Sequence, residues 1–258
     1  MMLKFHKYQG TGNDFLLVDD RKGAFDTSRL DLVQKICKRR FGVGSDGLIL
    51  LREKKGYDFE MVFFNPDGSQ SLCGNGSRCI VAFASALGII KNETRFLAID
   101  GEHTAHIRDG IVSLKMNDVK SVEKGDDFFY LNTGSPHYCT FVHEIGEFDV
   151  VKQGKRIRYS DRFKKEGTNV NFLERVDGAV FVRTYERGVE NETLSCGTGV
   201  TASGLVAALK NVSTSKEFCD IQTLGGMLKV KFKQNGDSFS DIYLEGPAEY
   251  VFSGEIEI

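Results

Sequence analysis

The chain has 258 residues, enough for two ordinary domains or one large one, and its 41% hydrophobic and 27% charged residues are a normal globular balance. Its formal net charge of −2 gives no electrostatic reason to expect nucleic acid or an anionic membrane as a partner. The longest apolar run, 80–90, is too short to cross a bilayer, and nothing near the start resembles a signal peptide. We therefore expect a cytoplasmic protein.

Apolar periodicity and turn residues predict the elements of the first half in chain order. Strands are expected at Leu3–Tyr8 and Phe15–Asp19, and Ser28 is placed to cap a helix from about Leu30 to Arg40. The next predicted elements are strands at Leu48–Leu51 and Asp58–Phe64, an apolar helix at Ile80–Leu87 that Gly88 ends, and strands at Phe96–Ile99, His103–Arg108 and Ile111–Lys115.

The second half of the chain repeats motifs of the first in the same order. Cys73-Gly74 corresponds to Cys196-Gly197, 123 residues later, and the apolar helix to a small-residue helix at Val200–Leu209. Two further pairs keep nearly the same offset, namely Thr11-Gly12-Asn13 with Thr133-Gly134-Ser135 and Gly44-Ser45-Asp46 with Gly167-Thr168-Asn169. This pattern indicates an internal duplication.

The duplication predicts an α+β fold of two pseudo-symmetric domains, each a mixed β-sheet wrapped around a central buried helix. We expect the first domain to span 1–117 and the second 118–248, with the junction in the polar stretch Asn117–Asp127. Residues from about 249 to 258 are expected to pack back onto the first domain.

Two Cys-Gly-x-Gly turns, at Cys73 and Cys196, each precede one of the predicted buried helices. A helix N-terminus carries unpaired N–H groups and the positive end of the dipole, so it binds anions and favours a thiolate. If a pseudo-twofold axis relates the domains, the two thiols face each other across the domain cleft. One thiolate could then remove an α-proton beside a bound carboxylate while the opposite thiol returns a proton, which inverts the stereocentre.

Other site motifs are absent or stand in the wrong context. Gly42–Gly47 spells G-x-G-x-x-G, but a basic helix precedes it and a strand follows it, the reverse of a dinucleotide fingerprint. Neither H-E-x-x-H nor C-x-x-C occurs, so we expect no metal and no cofactor. The four remaining thiols are interpreted as small buried hydrophobes: Cys37, Cys79, Cys139 and Cys219.

Taken together, the motifs resemble the diaminopimelate epimerase family, whose members are cofactor-independent two-cysteine enzymes. The resemblance covers essentially the whole chain. It rests on Gly12-Asn13-Asp14-Phe15, Phe64-Asn65-Pro66-Asp67-Gly68, Cys73-Gly74-Asn75-Gly76, Ser135-Pro136-His137, Tyr185-Glu186-Arg187-Gly188 and Cys196-Gly197-Thr198-Gly199.

The resemblance implies that Cys73 and Cys196 are the base and the acid, and that His137 and Glu186 lie beside them and set their protonation. It implies a backbone site for the reacting carboxylate at Gly74, Asn75, Gly197 and Thr198. It also implies contacts with the amines and the distal carboxylate from Asn13, Asn65, Asn169, Glu186 and Arg187. The implied reaction is epimerisation of LL- to meso-2,6-diaminopimelate, in lysine and peptidoglycan precursor synthesis, by a homodimer.

Two positions depart from the family pattern, since Ser135 stands where many relatives carry Asn and Gly47 where some carry Gln. Three alternatives remain open. His137 could be a loop histidine with its hydrogen bonds satisfied. The enzyme could be a related two-thiol racemase of proline, hydroxyproline or histidine, and a non-catalytic redox sensor or soft-metal binder would also carry paired thiols.

Overall fold

The computed structural model describes residues 2–213 and 215–257. These residues form seventeen strands and four helices. In chain order they are β1 (Met2–Gly10), β2 (Asn13–Asp19), α1 (Leu30–Cys37), β3 (Leu48–Arg52), β4 (Phe59–Phe64), α2 (Gly74–Ala86), β5 (Glu93–Ala98), β6 (Gly101–Arg108), β7 (Ile111–Lys115), β8 (Glu123–Lys124), β9 (Phe129–Asn132), β10 (Pro136–Phe141), α3 (Val150–Arg158), β11 (Asn169–Val176), β12 (Ala179–Glu186), β13 (Asn191–Thr193), α4 (Gly197–Leu209), β14 (Phe218–Thr223), β15 (Gly226–Asn235), β16 (Ser238–Pro247) and β17 (Glu249–Glu257).

The first of two compact units comprises the residues up to Leu114 together with those from Pro247 onward. Its strands pair as a mixed sheet: β1 with β2 antiparallel, β2 with β3 parallel, β3 with β4 antiparallel and β4 with β5 parallel. The antiparallel meander of β5, β6 and β7 follows. β17 pairs antiparallel with β1, with Leu3 opposite Ile256, so the last strand belongs to the first unit.

The second unit, Lys115–Gly246, repeats this order of pairings. β9 pairs with β10 antiparallel, β10 with β11 parallel, β11 with β12 antiparallel and β12 with β14 parallel. The antiparallel strands β14, β15 and β16 then form the second meander. Each unit is therefore a mixed sheet with two helices at the same points of the strand order, as the predicted duplication requires.

Both central helices are buried because neither has a polar face. In α2 the side chains of Ile80, Val81 and Phe83 are at most 1% exposed, and in α4 those of Val200 and Leu205 are fully buried. A helix without a polar face wide enough for solvent is stable only inside a core. In the described part of the chain, no helix is both long and apolar enough to span a bilayer.

The structure corrects the predicted helix ends. Ser28 does not cap α1: its hydroxyl donates to Asp26 at 2.7 Å, and Arg29 occupies the N-cap without a side-chain hydrogen bond. α1 ends at Cys37 rather than near Arg40, since the chain turns back and the N–H of Ser45 bonds the Cys37 carbonyl at 3.0 Å. The two central helices begin earlier than predicted, directly after Cys73 and Cys196.

Candidate active site

Cys73 is the N-cap residue of α2. Its backbone is extended (φ −130°, ψ 112°), and its carbonyl accepts the first helical hydrogen bond, from the N–H of Ser77 at 2.8 Å. Helix geometry leaves the N–H groups of Gly74, Asn75 and Gly76 without an acceptor inside the helix. The half-buried thiol of Cys73 therefore stands beside backbone donors at the positive end of the helix dipole.

Asn13 joins the Cys73 turn to the β1–β2 turn. The thiol Sγ lies 3.7 Å from Asn13 Oδ1, and Asn75 Nδ2 donates to the same oxygen at 3.2 Å. Asn13 Nδ2 in turn donates to Asp46 Oδ2 at 2.6 Å, which fixes the orientation of its amide. The structure thus brings together three of the predicted site residues of the first unit: Cys73, Asn75 and Asn13.

Asn65 lies in the turn that leads to the Cys73 loop. Its Nδ2 donates to the carbonyl and the hydroxyl of Ser69, at 3.2 and 3.0 Å, and to the hydroxyl of Ser71 at 3.1 Å. All the hydrogen bonds of Asn65 in the described structure stay within this turn. Asn65 therefore shapes the loop that carries Cys73.

Gly47 accepts no side chain in this fold. A Cβ atom at this position would lie 2.3 Å from the Phe63 ring and 2.7 Å from the carbonyl oxygen of Phe64. The departure from the family pattern at Gly47 is therefore a packing requirement, because Phe63 occupies the space that a glutamine would need.

Cys196 is the N-cap residue of α4 and repeats the geometry of Cys73. Its backbone is extended (φ −116°, ψ 110°), and its carbonyl accepts from the N–H of Val200 at 2.8 Å. Its Sγ lies 3.6 Å from the hydroxyl of Thr198. The Thr133 hydroxyl donates to the Thr198 carbonyl at 2.8 Å and holds the first turn of α4.

His137 lies in β10 and is fully buried. Asn171 Nδ2 lies 3.1 Å from His137 Nδ1, and Asn171 Oδ1 accepts from the Thr184 hydroxyl at 2.9 Å. Because Asn171 Nδ2 also donates to the Tyr138 carbonyl at 3.2 Å, the nitrogen of the amide faces the imidazole, so Nδ1 is the acceptor and the ring proton lies on Nε2. In the described residues Nε2 has no hydrogen-bond partner. The alternative of a loop histidine with satisfied hydrogen bonds is therefore wrong.

The His137 ring is neutral at physiological pH. Burial lowers its pKa to about 3, and the positive charge of Arg187 acts in the same direction. A neutral imidazole with its proton on Nε2 can donate one hydrogen bond, and that donor is free in the described structure.

Asn171 links His137 to the Cys196 turn, and no sequence motif marks it as a site residue. A Cβ atom built on Gly199 would lie 2.5 Å from Asn171 Oδ1 and 3.4 Å from Cys196 Sγ, so both groups flank the same point of the α4 turn. The one signal available in the sequence was its position two residues after Asn169 in a strand, which places both side chains on one face.

Asn169 gathers the other predicted residues of the second unit. Its Nδ2 donates to the Ser135 hydroxyl at 2.7 Å, and its Oδ1 accepts from the backbone N–H of Arg187 at 2.9 Å. Glu186 accepts from the Thr193 hydroxyl at 2.9 Å, at the end of β12. The structure thus assembles Ser135, Asn169 and Arg187 into one group.

Comparison with known proteins gives a family match along nearly the whole chain. The family model described as diaminopimelate epimerase matches twice, over residues 5–125 and 129–251. The diaminopimelate epimerase of Flavobacterium psychrophilum is 49% identical over 257 residues, covering 98% of this chain and all of that protein. That of Aquifex aeolicus is 38% identical and covers 98% of both chains.

Solved structures with the same fold are much more distant in sequence. A phenazine biosynthesis protein of the PhzF family from Bacillus anthracis superposes with a TM-score of 0.77 at 14% identity, covering 100% of both chains. A probable proline racemase from Agrobacterium radiobacter gives 0.69 at 15% identity, covering 99% of this chain and 93% of that one. These two likenesses concern the fold alone. The two family matches and the full-length relatives place the chain in the diaminopimelate epimerase family.

Proposed function

We propose that the protein epimerises LL-2,6-diaminopimelate to the meso form by proton transfer at the α-carbon, a reaction of lysine and peptidoglycan precursor synthesis. The observation that carries this proposal is the pair of Cys-Gly-x-Gly helix N-termini, one in each family-matched half. It is supported by full-length relatives that bear the name of this enzyme. The chain is accordingly an isomerase.

The two thiols act on one α-carbon in this proposal. The thiolate of one cysteine takes the α-proton, and the electron pair of the broken C–H bond spreads onto the substrate carboxylate. The thiol of the other cysteine gives its proton to the opposite face of the carbon, so the configuration inverts. After turnover the two cysteines have exchanged protonation states, and their titrations are coupled.

The helix N-termini stabilise the charge that develops during proton transfer. The substrate carboxylate accepts from first-turn N–H groups, those of Gly74 and Asn75 in α2 and of Gly197 and Thr198 in α4. These donors are fixed by the helices before substrate arrives, so no reorganisation is needed when the negative charge grows. The same donors hold the carbon acid in place.

His137 and Glu186 set the protonation of the thiols. The free Nε2–H of neutral His137 is a donor that can stabilise a thiolate without adding a positive charge to the site. Asn13, Asn65 and Asn169 with Glu186 and Arg187 hold the amines and the distal carboxylate. A substrate with two amino-acid heads suits this number of polar groups better than proline does.

Turnover of LL-diaminopimelate in heavy water tests the proposal. The meso product is expected to carry one solvent deuterium at the inverted α-carbon, seen by mass spectrometry and NMR. A panel of proline, hydroxyproline and histidine tests the alternative substrates under the same conditions. Inversion of a panel member without turnover of diaminopimelate would reject the proposed substrate and keep the two-thiol chemistry.

A separate arm distinguishes the enzyme from a thiol sensor or a soft-metal binder. With a reductant present, the epimerase is expected to keep full activity in EDTA. Absence of any α-proton exchange with all substrates would leave the non-catalytic roles as the better explanation. We further propose a cytoplasmic homodimer, which analytical ultracentrifugation at micromolar concentration tests.

A further inference from the structure

Arg78 is the largest fully buried side chain in the described part of the chain. It lies in α2, five residues after Cys73. Its Nη2 donates to the Thr11 hydroxyl at 3.1 Å, whereas Nε and Nη1 have no hydrogen-bond partner among the described residues. Nor does a described carboxylate form an ion pair with it. A buried guanidinium in this state is costly and calls for a negative partner.

The guanidinium lies under the first turns of α2, where two sulfur atoms are its candidate partners. A Cβ atom on Gly10 would lie 3.2 Å from Arg78 Nη2, 3.4 Å from the Asn75 carbonyl oxygen and 3.4 Å from Cys79 Sγ. Burial lowers the pKa of Arg78, and negative charge at Cys79 or at Cys73 raises it. The side chain remains a cation, since no protein environment deprotonates arginine near neutral pH.

Only one of the two sulfurs is able to carry the charge. Cys79 is fully buried, and burial raises its pKa far above the usual value, so it stays a thiol. Cys73 is half-buried at the helix N-terminus, where a thiolate is favoured. Electrostatic coupling is reciprocal, so a Cys73 thiolate that stabilises Arg78 is stabilised by Arg78 to the same extent.

We propose that Arg78 is a positioning residue whose buried charge holds Cys73 as the thiolate of the resting enzyme. The inference rests on the proposed role of Cys73 as one of the two bases. The equivalent residue of α4 is Thr201, whose hydroxyl donates to the Gly197 carbonyl at 3.0 Å and carries no charge. Among the described residues of the second unit no lysine or arginine is buried, so Cys196 has no such buried cation beside its helix and is the thiol in the resting state.

Most other charged groups on the elements that pack against α2 have partners of their own. Asp14, whose negative charge acts on Cys79, pairs with Lys7 at 2.5 Å and with Arg39, and Tyr8 packs its ring on Phe83. His6 also lies against Phe83. The remaining pairs on these elements are Asp19 with Arg21, Arg52 with Asp20, Glu60 with Lys54, Glu102 with Arg95, His103 with Asp100, His106 with Glu93, Arg108 with Asp109, and Glu249 with Gln9.

Alkylation of Cys73 as a function of pH tests this role without any turnover. In a Cys196→Ala background, iodoacetamide modification of the Cys73 peptide is followed by mass spectrometry from pH 5 to 10. Arg78→Met and Arg78→Gln are each expected to raise the midpoint by about one pH unit, the effect of one nearby charge in partly buried surroundings. Well below both midpoints the rate should fall about threefold, because the thiolate fraction drops about tenfold while each remaining thiolate is about three times more nucleophilic.

Thr11→Val is the matched control, since it removes the hydrogen bond of Arg78 and keeps the cation. Its midpoint is expected to equal that of the parent. Unchanged midpoints in the two neutral variants, or an equal shift in Thr11→Val, would overturn the proposal. So would loss of near-ultraviolet circular dichroism in both neutral variants, because the charge would then serve the fold. Epimerase activity is measured separately, so a shifted midpoint without activity would reject the proposed function and keep this inference.

Discussion

The two cysteine turns share one backbone and differ in what surrounds them. Both cysteines are extended N-caps of helices with thirteen residues, and both carbonyls accept the N–H four residues later at 2.8 Å. Around Gly76 in the first unit, a Cβ atom would meet Ile49 and Met61 at 3.1 and 3.4 Å. At the equivalent Gly199, it would meet the Asn171 amide at 2.5 Å.

The difference extends to the strands beneath the turns. His137 in the second unit occupies the place of Phe15 in the first, and both side chains are fully buried. The first unit instead buries a charge, Arg78, where the second has Thr201. The duplication therefore preserves the backbone donors to which we assign the substrate carboxylate, while the groups that we propose to tune each thiol have diverged. Equal geometry with unequal electrostatics suits an acid and a base that must begin in opposite protonation states.

The largest expected effect comes from removing either thiol. Cys73→Ala and Cys196→Ala should each lower kcat/KM for diaminopimelate by about a thousandfold or more, since each loses a proton donor or acceptor. Cys219→Ala is the control, because this buried thiol lies outside both turns and should keep its activity. Near-normal turnover in either site variant would show that the two turns are not equivalent partners in the chemistry.

His137 should make the folded protein lose stability in acid. Phe15, at the corresponding place in the first unit, cannot have this effect because it does not titrate. The folded-state pKa of about 3 lies below the unfolded value of about 6.5, so between these pH values only the unfolded chain binds the proton. Stability is therefore lost as the pH falls below about 6.5. By pH 4 this one group should cost about 3 kcal/mol.

His137→Gln removes this titration and keeps an acceptor for Asn171. In urea titrations at pH 7 and pH 4, the variant should lose about 3 kcal/mol less than the parent does between the two conditions. An identical loss in both proteins would mean that His137 binds its proton in the folded state.

Asn171→Ile gives the second turn the apolar surroundings of the first. Without the amide, the His137 tautomer is no longer fixed, and kcat should fall roughly ten- to a hundredfold with little change in KM. Thr184→Val keeps the amide and removes only its orienting hydroxyl, so its effect should be smaller. If Asn171→Ile raised KM at constant kcat, the amide would be a binding group instead.

The sequence was sufficient to predict the duplication, the α+β fold and most strands. Repeated motifs at a constant offset indicate the duplication. An apolar run such as Leu48–Leu51 is a local signal of a strand that is buried on both faces. The Cys-Gly-x-Gly turns were found for the same reason, because a helix N-terminus is encoded by adjacent residues.

The groups that we propose to tune the thiols were not predictable in the same way. Arg78 in an apolar helix reads as a residue that reaches solvent, yet it is fully buried, because β1, β2 and β17 cover the helix. Asn171 acquires its role from Thr184 on the neighbouring strand, with which it is in register. Such contacts depend on strand register, and residue spacing in the sequence does not reveal it.

The smallest expected effect concerns the opposite ends of the two central helices. Both close in a Schellman motif, with N–H groups of residues 88 and 89 bonded to Ser85 and Ala84, and those of 211 and 212 to Ala208 and Ala207. The left-handed residue is Gly88 (φ 71°) in the first unit and Asn211 (φ 54°) in the second. Asn pays some strain there that Gly does not.

Asn211→Gly should therefore raise the free energy of unfolding by about 0.5 kcal/mol, and Gly88→Asn should lower it by a similar amount, both measured in urea. Asn211→Ala should cost about 1 kcal/mol, since alanine adopts the left-handed conformation less readily than asparagine does. A gain from Asn211→Ala would show that the second helix ends differently from the first in solution.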